Sequence, residues 1–252
     1  MIPRCTRLLA LAAGLLALAG CGASSTIGRI TSDADRLAVA RDLHDHNNCT
    51  AAIELLKPYV ASSAGTAQVD QGIYLLGSCY LKTKDWVLAQ AEFDRLLRDY
   101  PESDSAGSAS YGIGEALVGQ SRPRDFDQEF TAKAIEQWER YLAGYPGHWR
   151  NEEARRRMLE ARTRLAFKLM DTGALYIKQK LPEPARVYFQ KVVDEYGDTP
   201  AGPEAEFGVA VAYEKMGRWV EAINRFREIE SRYPGKELGR LAAQERRRLE
   251  RR

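Results

Sequence analysis

Residues 76–101, LGSCYLKTKDWVLAQAEFDRLLRDYP, and residues 209–234, VAVAYEKMGRWVEAINRFREIESRYP, carry the same pattern of side chains. In each stretch an Ala, a Phe and an aliphatic residue stand 11, 7 and 4 positions before the final Tyr. These offsets place the three side chains and the Tyr on one face of an α-helix. The Pro after the Tyr cannot continue a helix and favours its end. The pattern therefore predicts a helix that buries this face and stops at the Tyr.

The same helix recurs along the chain and ends at four tyrosines: Tyr100, Tyr145, Tyr196 and Tyr233. The Ala position is filled by Ala89, Ala134, Ala185 and Ala222, and the aromatic position by Phe93, Trp138, Phe189 and Phe226. We predict a second helix before this one in three copies. In each of them a small residue stands twelve positions before the Ala: Gly77, Gly173 and Ala210. Small residues let two helices approach closely, and the aromatic side chains then fill the space between them. We therefore expect a series of helix–turn–helix pairs.

The spacing of the Ala positions shows where the repeat is interrupted. A weaker copy upstream supplies Ala52, and the steps from Ala52 to Ala222 are 37, 45, 51 and 37 residues. The step of 45 carries eight extra residues, which we assign to a loop at residues 120–128 because Pro123 lies there. The step of 51 carries fourteen extra residues near 148–162, a stretch without helix breakers. The fourth pair should therefore open with a helix of nearly 30 residues, capped by Asn151.

These pairs resemble the tetratricopeptide repeat, which has a period near 34 residues. The resemblance implies an all-α superhelix of about five units, because stacked helix pairs bury their apolar faces against one another. We divide it into an N-terminal group of three repeats at 33–146 and a C-terminal group of two repeats at 147–252. We expect Gly112 and Gly114 to allow close packing of helices rather than to form a phosphate-binding loop.

The first twenty residues have the features of a secretory leader. Arg4 and Arg7 precede an apolar run, Leu8 to Ala19, of about 12 residues, which is shorter than the roughly 20 needed to span a bilayer. The run ends in Leu-Ala-Gly followed by Cys21, which resembles the bacterial lipobox. That resemblance implies cleavage before Cys21 and attachment of acyl chains such as palmitate to Cys21. The alternative is an ordinary signal peptide cut nearby. The segment at 21–32 is rich in Gly, Ala, Ser and Thr and has few apolar residues, which predicts a flexible tether.

The lipobox and the five repeats together resemble the BamD/ComL family of outer-membrane assembly lipoproteins. The resemblance extends from about Asp35 to Pro234. Its most specific parts are Glu153-Ala154-Arg155-Arg156-Arg157, Arg162-Thr163-Arg164-Leu165-Ala166, Tyr176-Ile177-Lys178 and the segment from Asp194 to Pro200. It implies a non-catalytic scaffold on the periplasmic face of the outer membrane. The implied partners are the BamA-type barrel protein, other lipoproteins of the β-barrel assembly machinery, and unfolded outer-membrane proteins.

The resemblance also implies two sets of contact residues. The C-terminal half would hold the BamA-type protein, and the candidates on that side are Arg155, Arg156, Arg162, Arg164 and Lys178. The N-terminal repeats would receive extended substrate segments in a groove, for which the candidates are Tyr74, Tyr80 and Tyr111. The alternative for the basic residues is a solvated charged face, and the alternative for the tyrosines is packing of helix on helix. A different periplasmic repeat adaptor, serving cell-wall or division machinery, is the competing function.

Composition argues against several other classes of protein. Of 252 residues, 37 are basic and 35 acidic, which gives a formal charge of +2. Cleavage of the leader would remove Arg4 and Arg7 and no acidic residue, so the formal charge of residues 21–252 is zero. Such a balance does not favour nucleic-acid binding. No nucleophile motif, metal site or cofactor loop is present, so we predict no enzyme activity, no metal and no cofactor. His44 and His46 stand two positions apart, which does not suit a zinc pair on a helix.

Two further features of the sequence leave alternatives open. Cys49 and Cys79 would lie close together in antiparallel neighbouring helices, and the periplasm permits a disulfide between them. Two buried thiols are the other outcome. The C-terminal tail, residues 236–252, holds seven basic and three acidic residues. It could contact anionic lipid or partner proteins, or be a solvated helix that caps the superhelix.

Overall fold

The computed structural model describes residues 32–62 and 67–252. The leader at 1–20, the lipidation site Cys21 and residues 21–31 of the predicted tether lie outside these ranges. All regular structure within the described ranges is helical. In chain order the helices are α1 (Asp33–Asp45), α2 (Cys49–Ser62), α3 (Val69–Thr83), α4 (Trp86–Asp99), α5 (Ala106–Gln120), α6 (Glu129–Gly144), α7 (Asn151–Lys178), α8 (Pro182–Tyr196), α9 (Ala201–Lys215), α10 (Trp219–Arg232) and α11 (Glu237–Glu250).

The helices stack as the predicted pairs, and the chain order is also the packing order. Each helix packs against the helix before it and the helix after it. Neighbouring odd-numbered helices also contact each other directly, in the pairs α1–α3, α3–α5, α7–α9 and α9–α11. The odd-numbered helices therefore form one surface of the stack, and the even-numbered helices form the other. This arrangement confirms the all-α repeat fold with five helix pairs and one additional helix, α11.

The side chains that define the repeat are buried as predicted. The four Ala positions, Ala89, Ala134, Ala185 and Ala222, are fully buried, and so are the aromatic positions Phe93, Trp138, Phe189 and Phe226. Three of the four even-numbered helices concerned end immediately before the predicted Tyr, and α8 ends at Tyr196 itself. The loop predicted at 120–128 lies between α5, which ends at Gln120, and α6, which begins at Glu129.

Glycines on the odd-numbered helices make room for the aromatic side chains of the even-numbered helices. A Cβ at Gly77 would lie 2.7 Å from the Phe93 ring, and one at Gly173 would lie 2.6 Å from the Phe189 ring. A Cβ at Gly112 would lie 2.5 Å from Phe93, and one at Gly114 would overlap the Trp138 indole. These distances are shorter than ordinary contacts, so only glycine fits without displacement of the rings. The expectation that Gly112 and Gly114 serve close packing is confirmed.

Helix α7 is the long helix that the spacing predicts, and it joins two hydrophobic cores. Its 28 residues run from Asn151 to Lys178. Ala154 and Ala161 pack into the core built by α1–α6, whereas Ala166 packs with α8 and α9. The change from one core to the other therefore falls within α7, between Ala161 and Ala166. The division at 146/147 stays a prediction for the boundary between the two groups of repeats.

The start of α7 differs from the sequence prediction. Asn151 does not cap the helix, because it is the first helical residue and the preceding Arg150 occupies the cap position without a side-chain cap bond. The Asn151 amide nitrogen instead donates to the carbonyls of Tyr145 and Pro146, at 3.0 and 2.8 Å. The reason is burial: Asn151 faces the preceding loop, whose carbonyls need donors. Glu152 and Glu153 lie in the first turn, as the helix dipole favours.

None of the helices in the described part of the chain is long and apolar enough to cross a bilayer.

Candidate functional site

The odd-numbered helices of the first three repeats line a groove on the surface that they share. One depression of about 390 Å³ lies between α1, α3 and the loop before α5, and it includes Arg41, His44, Gln71 and Tyr74. A second, of about 310 Å³, lies between α3, α4, α5 and the start of α7. Tyr74 lines both depressions, so they adjoin, and we call them together the inner groove. Since packed helices lie about 8–10 Å apart, the groove spans about 20 Å from α1 to α5.

The floor of the inner groove is aromatic. Tyr74 packs against Phe93 with ring centroids 6.1 Å apart, and Trp86 and Tyr111 line the same depression. Tyr74 is half-buried, whereas Tyr111 is almost fully buried. Tyr80, the third tyrosine that the resemblance indicated, is buried and lies outside both depressions. The structure therefore brings Tyr74 and Tyr111 together and places Tyr80 in the core.

Polar side chains line the walls of the groove. His44 Nε2 lies 2.9 Å from the Ser78 hydroxyl, and Lys82 Nζ donates to the carbonyl of His44 at 2.9 Å. Gln71 and Ser108 add further groups that donate and accept hydrogen bonds. Lys82 is exposed. An aromatic floor between such walls suits an extended peptide, because the floor takes apolar side chains and the walls bond to the peptide backbone.

One end of the inner groove is closed by a charged network between α5 and α7. Arg157 donates two parallel hydrogen bonds to the Glu115 carboxylate, at 2.8 and 2.9 Å. The Tyr111 hydroxyl donates to the same carboxylate at 3.0 Å. Burial, followed by the charge of Glu115, raises the pKa of Tyr111, so the phenol stays protonated. Arg150 lies over the Tyr111 ring, 4.8 Å from its centroid, and pairs with Glu153.

His148 holds the loop between α6 and α7 against the third repeat, formed by α5 and α6, and against the start of the fourth repeat at α7. The backbone N–H of Arg150 donates to His148 Nδ1 at 3.3 Å, which makes that nitrogen an acceptor. The Tyr141 hydroxyl, 2.7 Å from Nδ1, therefore donates to it, and Nε2 carries the proton that faces the Ser108 hydroxyl at 3.2 Å. Burial, followed by the charge of Arg150, lowers the pKa of His148. The neutral imidazole thus connects α5, α6 and the start of α7.

The five basic residues that the resemblance indicated do not share one face of α7. At 100° per residue, Arg155 and Arg162 lie on one side of the helix, and Arg156, Arg164 and Lys178 lie on the other. Arg155 and Arg156 are exposed and pair with Glu152 and Glu160 on the same helix. Lys178 is exposed at the end of α7. These three residues are accessible to a partner protein.

Arg162 and Arg164 connect α7 to its neighbours. Arg162 donates to the Asp198 carboxylate and to the carbonyl of Glu195, and its guanidinium lies 5.2 Å from the Tyr196 ring centroid. The hydrogen bond from Arg162 lowers the pKa of Asp198. Arg164 donates to the carbonyl of Arg122 in the loop before α6. Arg162 thus fixes the loop between α8 and α9, and Arg164 fixes the loop between α5 and α6.

Sequence reasoning missed the residues that close the inner groove, namely Glu115, Arg150 and Arg157. Arg157 lies within the basic run that carried the family resemblance, but no local signal distinguishes it from Arg155 and Arg156. Its partner Glu115 is 42 positions earlier in the chain. The helical phase offered one indication that Arg157 makes a contact within the fold. Arg157 follows the buried Ala154 by three positions and so lies near the buried face of the helix.

The two cysteines lie side by side. Both are buried and free, at the start of α2 and late in α3. Burial, together with the neighbouring Cys49 thiol, raises the pKa of Cys79. A raised pKa suppresses the thiolate that exchanges disulfides, so reaction in the folded state is disfavoured. The disulfide between Cys49 and Cys79 stays a prediction. The described residues contain no cluster of His, Cys, Asp and Glu that could hold a metal ion.

The chain is similar to known outer-membrane lipoproteins. The family YfiO, described as an outer membrane lipoprotein, matches residues 37–206, and a tetratricopeptide-repeat family matches residues 204–236. The outer membrane protein assembly factor BamD of Vibrio cholerae is 25% identical over 229 residues, which cover 86% of this chain and 95% of that protein. The protein of the same name from Caulobacter vibrioides is 24% identical over 205 residues, which cover 81% of this chain and 65% of that protein.

Solved structures of repeat proteins are also similar to the chain. A thermophilic TPR protein of Thermus thermophilus superimposes with a TM-score of 0.40 at 16% identity, covering 84% of this chain and 98% of that one. The TPR2AB domain of yeast Sti1 gives a TM-score of 0.43 at 13% identity, covering 83% of this chain and 81% of that one. The family match spans more than half of the chain and continues directly into the repeat match. The chain therefore belongs to the YfiO family of outer membrane lipoproteins, the BamD-type family that the sequence resembles.

Proposed function

We propose that this protein is a non-catalytic scaffold of outer-membrane β-barrel assembly, anchored by lipid on Cys21 at the periplasmic face of the outer membrane. It receives unfolded outer-membrane proteins in the inner groove and holds a BamA-type barrel protein through its C-terminal half. Two relatives that align over most of this chain are named outer membrane protein assembly factors, which supports the role. Other lipoproteins of the machinery are the further partners in this proposal.

The observation that carries the substrate part of the proposal is the shape and lining of the inner groove. A groove of about 20 Å accommodates about six residues of extended chain, at roughly 3.3 Å per residue. Segments of β-barrel proteins alternate apolar and polar side chains. One set of alternate side chains would meet the aromatic floor at Tyr74 and Trp86, and the backbone would bond to Gln71, Ser78 and Ser108.

The contact with the BamA-type protein uses the exposed basic residues of α7 as a set. The partner meets Arg156 and Lys178 on one side of α7 and reaches Arg155 around the exposed part of the helix, while Arg162 and Arg164 hold the flanking loops in position. Individual exposed ion pairs contribute little, so the set provides orientation and partner choice more than affinity. Reversing the charge of Arg155 and Arg156 together should lower recovery of the barrel protein, whereas Lys57→Glu on the opposite surface should not.

Site-specific photo-crosslinking tests the substrate groove. A photoreactive amino acid replaces Lys82, which lines the groove, or Lys57, which is exposed on α2 outside it. Cells expressing either variant are irradiated during synthesis of a β-barrel protein. We expect adducts between the nascent barrel protein and position 82, and none above background at position 57. Equal adduct yields at the two positions would contradict the assignment of the groove to substrates.

A further inference from the structure

Helix α11 presents a face that no described residue covers. Its other side packs against α10 and α9, where Ala242 and Leu249 are buried. Along the uncovered side lie Arg240, Gln244, Arg247 and Arg251, which the spacings of 4, 3 and 4 residues place on one helical face. This face and the end of α10 enclose a depression of about 840 Å³. We call it the α11 groove.

The repeat register shows why this face differs from the others. Gly239 of α11 stands 37 residues after Gly202 of α9, and at both glycines a Cβ would overlap the backbone of the preceding loop. In the same register Arg247 corresponds to Ala210, the small residue on which Phe226 packs. The odd-numbered helices α3, α5 and α7 carry Gly77, Gly114 and Gly173 there, each beneath an aromatic ring. The position that accepts a neighbouring helix elsewhere is therefore occupied by a large cation in α11.

The arginines of α11 differ in whether they have acidic partners. Arg246 pairs with both Glu230 and Glu250, and Arg248 pairs with both Glu214 and Glu245, so five arginines and four glutamates around the groove leave a net charge of +1. The side chain of Arg240 bonds to the carbonyl of Gly235 at 3.1 Å, which leaves its charge uncompensated. Across residues 32–62 and 67–252, Arg247 and Arg251 have no carboxylate within ion-pair distance. Three guanidinium groups therefore face the groove without counter-charges.

We propose that the α11 groove binds an acidic segment of a partner protein in extended conformation. Arg240 and Arg251 are eleven residues apart, about 16 Å along the helix, which matches about five extended residues. Carboxylates on alternate residues of such a segment repeat every ~6.7 Å, close to the ~6 Å rise between Arg247 and Arg251. Arginine forks bind carboxylates in bidentate geometry, and the Ala243 and Tyr233 surfaces form an apolar floor beneath the segment.

A lipid surface fits these observations less well than a peptide does. Helices that lie on membranes carry Trp, Phe or Leu beside their cations, for insertion between headgroups. On α11 Leu241 is the single large apolar side chain that is well exposed. The arginines also line a depression rather than a convex edge that a flat bilayer could meet. The inference is independent of the proposed function, since neither the inner groove nor the α7 residues take part.

Fluorescence anisotropy with the full-length lipoprotein in detergent micelles tests the proposal. The probe is a labelled octapeptide with Glu at alternate positions, and the control probe has Gln in place of each Glu. The variant Arg247→Glu/Arg251→Glu removes the groove charge. The variant Arg98→Glu/Arg225→Glu makes the same change of net charge on α4 and α10, away from the groove.

We expect the acidic probe to bind the wild type and the Arg98→Glu/Arg225→Glu protein alike. Binding should be at least tenfold weaker to Arg247→Glu/Arg251→Glu, and it should weaken as salt is raised. Equal loss in both double variants, or equal binding of the Gln probe, would overturn the proposal. So would flotation with phosphatidylglycerol vesicles that depends on Arg247 and Arg251 while the peptide fails to bind. Thermal unfolding of both variants verifies that they are folded, and Arg247→Gln/Arg251→Gln replaces the charge reversal if they are not.

Discussion

At the scale of single residues, His148 shows how one side chain can determine a junction between repeats. Its neutral ring accepts at Nδ1 from the Arg150 backbone and the Tyr141 hydroxyl, and donates from Nε2 to Ser108. Protonation of Nδ1 would remove both accepted hydrogen bonds. Because burial lowers the pKa of His148 below the usual 6.5, the folded protein favours the neutral form.

This lowered pKa predicts a dependence of stability on pH. The contribution of His148 is fully present above pH 6.5, because the imidazole is then neutral in both folded and unfolded chains. It is lost as the pH falls from 6.5 through the lower pKa of the folded state, since the unfolded chain binds the proton first. The difference in melting temperature between the wild type and His148→Gln, measured from pH 7.5 to pH 5, should therefore shrink. A constant difference across this range would contradict the role of the neutral ring.

The close packing of Gly114 against Trp138 predicts a second effect of a single residue. A Cβ at this position would overlap the indole, so Gly114→Ala should destabilise the fold by about 1–3 kcal/mol. Gly144→Ala is the matched control, because nothing lies within 4 Å of its Cβ, and it should stabilise the fold by about 0.4–1 kcal/mol. Urea unfolding measures both free energies. Equal effects of the two substitutions would show that the space beside Trp138 is not required.

At the scale of elements, α7 links the two cores. Its first half packs with α1–α6 and its second half with α8 and α9. Arg157 fixes α7 to Glu115 of α5, and Arg162 fixes it to Asp198 in the loop between α8 and α9. Through these contacts α7 connects the inner groove to the C-terminal pairs.

A proline within α7 should separate the unfolding of the two cores. Thr163 lies between Ala161 and Ala166, and Thr163→Pro removes a backbone hydrogen bond at a cost of about 3 kcal/mol or more. We expect one urea transition for the wild type and for the control Thr163→Ala, and two transitions for Thr163→Pro. Circular dichroism records the total helix, and the number of transitions in its signal shows whether the two cores unfold together. A single transition in Thr163→Pro would mean that α7 does not couple them.

The elements could be predicted from sequence to the extent that they depend on local periodicity. The offsets of Ala, Phe and Tyr predicted the even-numbered helices, because the period of 3.6 residues is a local property. The steps of 45 and 51 residues predicted the loop before α6 and the length of α7. Helix starts were less predictable, as Asn151 shows, because the loop carbonyls that its amide meets belong to the tertiary structure.

The candidate site was predictable only in part. Tyr74 and Tyr111 line the inner groove, but Tyr80 lies in the core, since its helical phase turns it away from the groove. The basic residues of α7 appeared in the sequence as one cluster, yet their phases point them in different directions. The link between Glu115 and Arg157 joins positions 42 residues apart, which no local pattern encodes.

At the scale of the whole molecule, the inner groove adjoins the exposed basic residues of α7, because Glu153 lines the groove and lies 4.0 Å from Arg156, whereas the α11 groove is separate from both. A stack of helix pairs can carry several binding surfaces because each pair contacts only its neighbours. This separation suits a scaffold that holds a substrate and more than one partner simultaneously.

Co-purification from the native host tests the central claim, that the protein is a scaffold of outer-membrane β-barrel assembly. The full chain carries an affinity tag behind a flexible linker after Arg252, and the membrane fraction is extracted in mild detergent. We predict that a BamA-type barrel protein co-purifies at near-stoichiometric yield, and that Arg155→Glu/Arg156→Glu lowers this yield. Recovery of cell-wall enzymes or division proteins without the barrel protein would contradict the account and favour a different periplasmic repeat adaptor.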